Sequence, residues 1–401
     1  MSIELLTLQI LEKMPKVGCY CKRFWSDFFI TMLVCRGRYN FINFSRYSNF
    51  SEPTIRNWFS KPFDFLEFNM HLNTVLDSEG KIIVFDPSFL SKSGNCTDGI
   101  GKFWSGCSSS VKRGLEVGGF ASVGLESKTA LHLIAVQTIG LKEEETLIDF
   151  YIRILRNHAP SFLEISQVLV ADSYFSKEKY VSAVCDLGFD FVGKLPSNRI
   201  LRYRYLGGKT GKKGRPKQFD GIVDKQNPSP KHFSVFLDNP QDDTIGYEGI
   251  VQVKAFKKEV KCVIVHTKNK KGKIKTHTFF STDTTLTAQQ IITYYKLRFQ
   301  IEFLFRDAKQ FVGLNQCQAR SEQKIHNHIN ASLTTVSLAK AVELLKPKNK
   351  MKKAFSMQSI KISYFNENYM IRILNHFRKN PKIDINSKQY HELKNYGCIA
   401  A

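Results

Sequence analysis

The chain has 401 residues, 42% of them hydrophobic and 24% charged, which is long enough for two or more domains around a sizeable core. Its longest apolar run, FFITMLVC at 28–35, is too short to span a bilayer. Lysine and arginine total 59 against 36 acidic residues, a net charge of +23 that favours a polyanionic partner, nucleic acid being the usual one. A membrane surface is the weaker alternative, because no long amphipathic basic helix collects the cations.

The N-terminus, MSIELLTLQI, carries an early Glu4 and no basic leader region, so it does not read as a signal peptide. The nine cysteines are scattered, and no Cys or Cys/His group has zinc spacing. A reduced, cytoplasmic protein without disulfides is expected.

Residues 1–78 read as helical and rich in aromatics. Within them FINFSRYSNFSEPTIRNWFSKPF (41–63) has the rhythm of a helix-turn-helix, with Ser51 and Glu52 before Pro53 as a helix start. Its Arg56 and Asn57 would be available to DNA, although an ordinary helical hairpin fits equally. The pattern then changes. KIIVFDPSFLSKSG (81–94) opens with a short apolar strand ending at Asp86 and Pro87, and strands follow in 107–125 and 129–140.

Residues 143–158 form an amphipathic helix with acids first and bases last, which suits its dipole. QVLVADSYFS (167–176) is a second apolar strand stopping on an aspartate, Asp172. A helix at 177–187 and a strand at 189–196 complete an α/β pattern, a mixed sheet with helices on its faces. From 201 to 283 the texture is β-rich. It includes LRYRYLGGKTGKKGRPK (201–217), which has seven basic residues and no acid, with Lys212, Lys213 and Arg215 as candidate DNA contacts. A helical pattern capped by Thr285 or Thr287 returns and continues to about 345, and a basic tail begins with KPKNKMKK (346–353).

The run YYKLRFQIEFLFRDAK (294–309) is apolar on nearly every side, yet Tyr295, Arg298, Glu302 and Lys309 share one stripe, at spacings of three, four and seven. Buried charges must be paired or ligated. The stripe is either a structural Arg298–Glu302 pair or the wall of a cleft with Glu302 as its working acid. Asp86 and Asp172 at strand ends, where α/β folds place their sites, make a set of hard oxygen donors with Glu302. Such a set suits Mg²⁺ or Mn²⁺ and, with two ions, phosphoryl transfer. Asp98 and Asp149 are competing acids; Lys92, Lys112 and Arg113 are looser candidates for backbone contacts.

The string Tyr295-x2-Arg298-x3-Glu302-x6-Lys309 resembles the YREK signature of bacterial insertion-sequence DDE transposases of the insertion-sequence-four type. FDPSFLSKSG around Asp86 and VADSYFS around Asp172 resemble that family's two other acidic motifs, in the same order, and the resemblance covers roughly 80–340. It implies an RNase H-like core in 79–200 and 284–345, interrupted by a β-rich insertion subdomain at 201–283. A helical region at 1–78 would precede the core and a basic helical tail at 346–401 would follow it. It further implies that Asp86, Asp172 and Glu302 ligate two Mg²⁺ or Mn²⁺ ions. Arg298 and Lys309 would hold phosphates or order the stripe, and Tyr295 would lie beside the scissile strand. The implied partner is double-stranded DNA, both transposon ends and target, engaged by a dimer. A non-transposing endonuclease of the same core and a silent DNA-binding repressor are the alternatives.

Overall fold

The computed structural model describes residues 1–106, 108–208, 217–239, 241, 243–256, 258–268, 272–347, 354–379, 387–388 and 390. Helices α1 (Ile3–Glu12), α2 (Cys19–Val34), α3 (Phe41–Tyr47), α4 (Glu52–Phe59) and α5 (Phe65–Asn73) open the chain. Their starts are set by local chemistry: Ser2, Asn40 and Asp64 each accept a backbone N–H in the first turn of α1, α3 and α5. The apolar faces meet in an aromatic cluster in which Trp25 lies 4.7 Å from Phe63 and Phe28 4.9 Å from Phe59, centroid to centroid.

The strands β1 (Lys81–Ser91), β2 (Gly101–Ser105), β3 (Ser110–Gly124) and β4 (Ala130–Gln137) follow. After them come α6 (Leu147–Leu163), β5 (Val168–Val170), α7 (Glu178–Asp186) and β6 (Asp190–Lys194). β1, β5 and β6 are parallel neighbours, while β3 runs antiparallel between β1 and β4. The order β4-β3-β1-β5-β6, with helices on the faces, is an RNase H-like core. Asp149, one of the competing acids, closes a capping box with Thr146 at the start of α6 and pairs with Lys179.

Strands β7 (Leu201–Arg204), β8 (Phe219–Ile222), β9 (Phe233–Asn239), β10 (Thr244–Val253), β11 (Lys258–Lys268) and β12 (Ile274–Ser281) lie in the 201–283 segment. They continue the core sheet rather than forming one of their own, because β12 pairs antiparallel with β6. Lys212, Lys213 and Arg215 lie outside the described residues, as does most of the 346–353 run.

Helices α8 (Ala288–Leu297), α9 (Phe299–Phe311), α10 (Glu322–Leu344) and α11 (Met357–Lys379) close the chain. Thr287, one of the two expected caps, starts α8 through a capping box with Gln290. The helix expected over 294–309 is two helices meeting at Arg298. There the N–H of Ile301 bonds the carbonyl of Arg298, a tighter three-residue turn.

Buried polar residues in α10 have a specific task. Among the described residues β4 pairs only with β3, so its outer edge would leave backbone groups unsatisfied. Side chains fill the gap. Asn330 exchanges two bonds of 2.9 Å with the Ala135 backbone, Ser337 Oγ accepts from His132 N, and Asn69 donates to Leu133 O.

Candidate active site

Asp86 and Asp172 owe their relative position to strand register. In the parallel pair β1–β5, Ile83 matches Leu169 and Val84 matches Val170. Asp86 and Asp172 each lie two residues beyond that last pair, at the carboxyl edge where neighbouring strands run about 4.8 Å apart. One expectation needs correcting here: β1 does not end at Asp86 but pairs with β3 as far as Ser91. Pro87 is tolerated inside the strand because β5 has already stopped, which leaves one edge of β1 open. Asp172 lies past the end of β5, where it accepts the Tyr174 N–H at 2.9 Å and caps a short 3-10 turn.

Alternation along β1 turns Val84, Asp86 and Ser88 toward α9, while Phe85 faces Phe120, Tyr151 and Phe175 on the other side. Gly119, opposite Asp86 in the register, allows the helix to approach: a Cβ there would lie 2.6 Å from the Phe305 ring.

Across this contact Arg298 Nη1 donates to Asp86 Oδ1 at 3.0 Å and Nη2 to Glu302 Oε1 at 2.9 Å. The guanidinium is buried, whereas the Asp86 side chain is 18% and the Glu302 side chain 41% exposed. Arg298 Nε is buried with no hydrogen-bond partner among the described residues. Burial, with the like charges of Glu302 and Asp172, pushes the Asp86 carboxyl up to about 7 against the pull of Arg298. Burial also raises Asp172, opposed by the Tyr174 N–H and by Arg298.

Tyr295 is half-buried against Phe279, with the Arg298 guanidinium 5.8 Å from its ring centre. Lys309 reaches back to β1, donating to Ser88 Oγ at 2.8 Å and Phe89 O at 2.9 Å. Asp86, Asp172, Tyr295, Arg298, Glu302 and Lys309 thus gather on one side of the sheet.

Arg56 stands apart on exposed α4, bonded to Glu52 and lying over the Phe41 ring. Lys92 donates to the carbonyls of Cys317 and Ala319, so it holds a loop. Asp98 accepts the Glu322 N–H at the start of α10. Ser88, Gly119 and Phe305, which seat α9 on β1, escape sequence reasoning; alternation in β1 is the one signal for Ser88.

The donor chemistry, three carboxylates with more negative charge than Arg298 offsets, fits hard divalent cations. Among the described residues, no three His, Cys, Asp or Glu side chains are grouped as a ready metal cage. Arg298 stands between Asp86 and Glu302 instead.

The core sheet is RNase H-like in strand order, and Asp86 and Asp172 lie at the carboxyl edge of its parallel strands. Residues 141–338, just under half the chain, match the family model described as Transposase DDE domain. That match includes Asp172, Tyr295, Arg298, Glu302 and Lys309 and leaves Asp86 outside it. A solved structure of piggyBac transposase, in a synaptic complex with hairpin DNA, is similar at 13% identity and a TM-score of 0.41. The similarity covers 98% of this chain and 73% of that one. No curated protein matches the sequence. Among the described residues no helix is long and apolar enough to cross a membrane.

Proposed function

We propose that the chain is a DNA transposase that binds the ends of its mobile element, cleaves the phosphodiester bonds there and joins the 3′-hydroxyl ends to target DNA. The observation that carries this reading is the shared register position of Asp86 and Asp172, with Glu302 tied to Asp86 through Arg298. Asp86, Asp172 and Glu302 would hold two Mg²⁺ or Mn²⁺ ions. Ions of this kind supply Lewis-acid activation of a water or 3′-hydroxyl and neutralise the leaving oxygen.

The chain's own side chains do the rest. Arg298, whose buried Nε has no hydrogen-bond partner among the described residues, would turn from the acids to meet a phosphate oxygen. Tyr295 walls the cleft, and Lys309 holds β1 against α9 beside the acids. Arg56 and the Lys212, Lys213 and Arg215 run are proposed backbone contacts, and the net charge of +23 draws the duplex in. Because two ends must be joined to one target, the active DNA complex is proposed to be a dimer in the cytoplasm.

The test is cleavage of duplexes carrying the element's own ends, with Mg²⁺, with Mn²⁺ and with EDTA. Cutting that depends on the metal supports the reading. The closed Arg298 bridge favours one second reading, a DNA-binding protein without catalysis. Tight end binding with no cutting under either metal would select it.

A further inference from the structure

Beyond β1 the sheet puts out a two-stranded ribbon, formed by β2 and the first residues of β3. Its register pairs Lys102 with Arg113 and Trp104 with Val111, so these four side chains share one face. Trp104 and Val111 are each 59% exposed and lie directly opposite one another, so they make one small joined apolar spot on the ribbon. No acidic residue occurs between Asp98 and Glu116. Arg113 is steadied by Asn95, whose side-chain oxygen accepts from Nη2 at 2.8 Å.

We propose that this face is a DNA-docking element, with Trp104 as an apolar wedge or stacking surface and Lys102 and Arg113 as flanking phosphate contacts. This rests on the proposed transposase reading and adds a DNA contact outside the acidic site. A two-stranded ribbon fits the major groove of B-form DNA, and an exposed aromatic ring can press on base edges and thymine methyls or wedge into an opened step. The reach also fits. The ribbon leaves β1 at Ser91, where Gly114 pairs, so Trp104 lies on the order of 25–30 Å from Asp86 along the sheet. That is less than one turn of duplex, about 34 Å, so a duplex cut at the acids can also reach the ribbon. A second copy of this chain is the poorer occupant. Two exposed apolar side chains fall far short of the roughly 800 Å² per partner of a stable interface, and a second copy would bring the same positive charge.

The experiment uses the full chain and a random-sequence 30-base-pair duplex at 50–200 mM salt. Of the three tryptophans, Trp25 is buried and Trp58 half-buried, so subtracting the emission of Trp104→Phe from that of the parent isolates the exposed one. Added duplex should quench that component. Trp104→Ala should bind about tenfold or more weakly with its melting temperature unchanged, while Lys102→Gln with Arg113→Gln should lower the salt slope by about two. If the protein binds duplex but Trp104 emission and Trp104→Ala affinity are unaffected, the ribbon proposal falls and the transposase reading stands. If no duplex is bound at all, the transposase reading fails and takes the ribbon with it. Dimerisation without DNA that quenches Trp104 would assign the face to a second copy and overturn the proposal.

Discussion

Arg298 and Asp86, 212 residues apart in the chain, are joined by a 3.0 Å hydrogen bond that ties the junction of α8 and α9 to the middle of β1. The same guanidinium holds Glu302 at 2.9 Å. One cation therefore stands where the proposed chemistry needs carboxylates free to turn toward a metal.

Glu302→Gln separates catalysis from folding. Glu302 is 41% exposed and Asp86 would still pair with Arg298, so the fold should lose no more than about 1 kcal/mol. If Glu302 ligates metal, cutting of end duplexes should vanish while end binding persists. Melting temperature and cleavage rate on the same preparation decide this. A stable variant that still cuts would sink the assignment.

Arg298→Gln should behave differently, because it strands a buried carboxylate. Breaking a buried pair in this way costs roughly 3–5 kcal/mol. The loss should shrink on acidification. Without the pull of Arg298 the Asp86 carboxyl lies above its parent value of about 7, so it protonates first in the folded variant and the loss relative to the parent shrinks as pH falls toward 7. Denaturant midpoints at pH 8 and pH 5.5 test the sign. A variant equally destabilised at both would show that Asp86 does not carry the cost.

Three buried histidines pull the other way in mild acid. His132, His326 and His328 are held near 4 by burial, each below the ordinary value of 6.5. The unfolded chain protonates these groups first, so stability is lost as pH falls from about 6.5 toward 4, roughly 2 kcal/mol each at pH 5. Asp86 works in the opposite sense, as do Asp172, Asp27, Glu116 and Asp190, whose carboxyls burial also raises, so the histidine contribution is read from a variant rather than from the whole protein. His132→Gln should flatten the fall in urea midpoint between pH 7 and 5, and an unchanged slope would exclude His132 as a contributor.

Gly119→Val tests the seat of α9. A side chain there meets the Phe305 ring at 2.6 Å and should displace the helix that carries Glu302. Overpacking of this kind costs about 1–3 kcal/mol. Cutting should fall by more than the stability loss explains, and the additional change Phe305→Leu, which gives back room, should restore part of it. A variant with full activity would show that the approach of α9 is not limiting.

Part of this arrangement was legible in the chain. The four-residue spacing of Arg298 and Glu302 is a helical neighbour relation, and the apolar strands before Asp86 and Asp172 announce a sheet edge. The bond from Arg298 to Asp86 left no local trace, because no periodicity connects residues 212 positions apart. The continuation of β1 past Pro87 was hidden for a related reason: β3 supplies the pairing, and Pro87 reads as a stop unless β5 is known to end first. The polar residues of α10 look wrong for a buried helix until the bare edge of β4 is in view.

The hydrogen bonds between β12 and β6 bear on how this architecture can change size. Deleting the strands between Leu201 and Ser281 would strip Asp190–Lys194 of a neighbour and leave a core strand open to any passing chain, a template for aggregation. A shortened descendant would therefore need a substitute strand or a charged, twisted border on β6 in the same step. The segment cannot be traded like a cassette on a linker; its length can vary in the hairpins, while its last strand must stay.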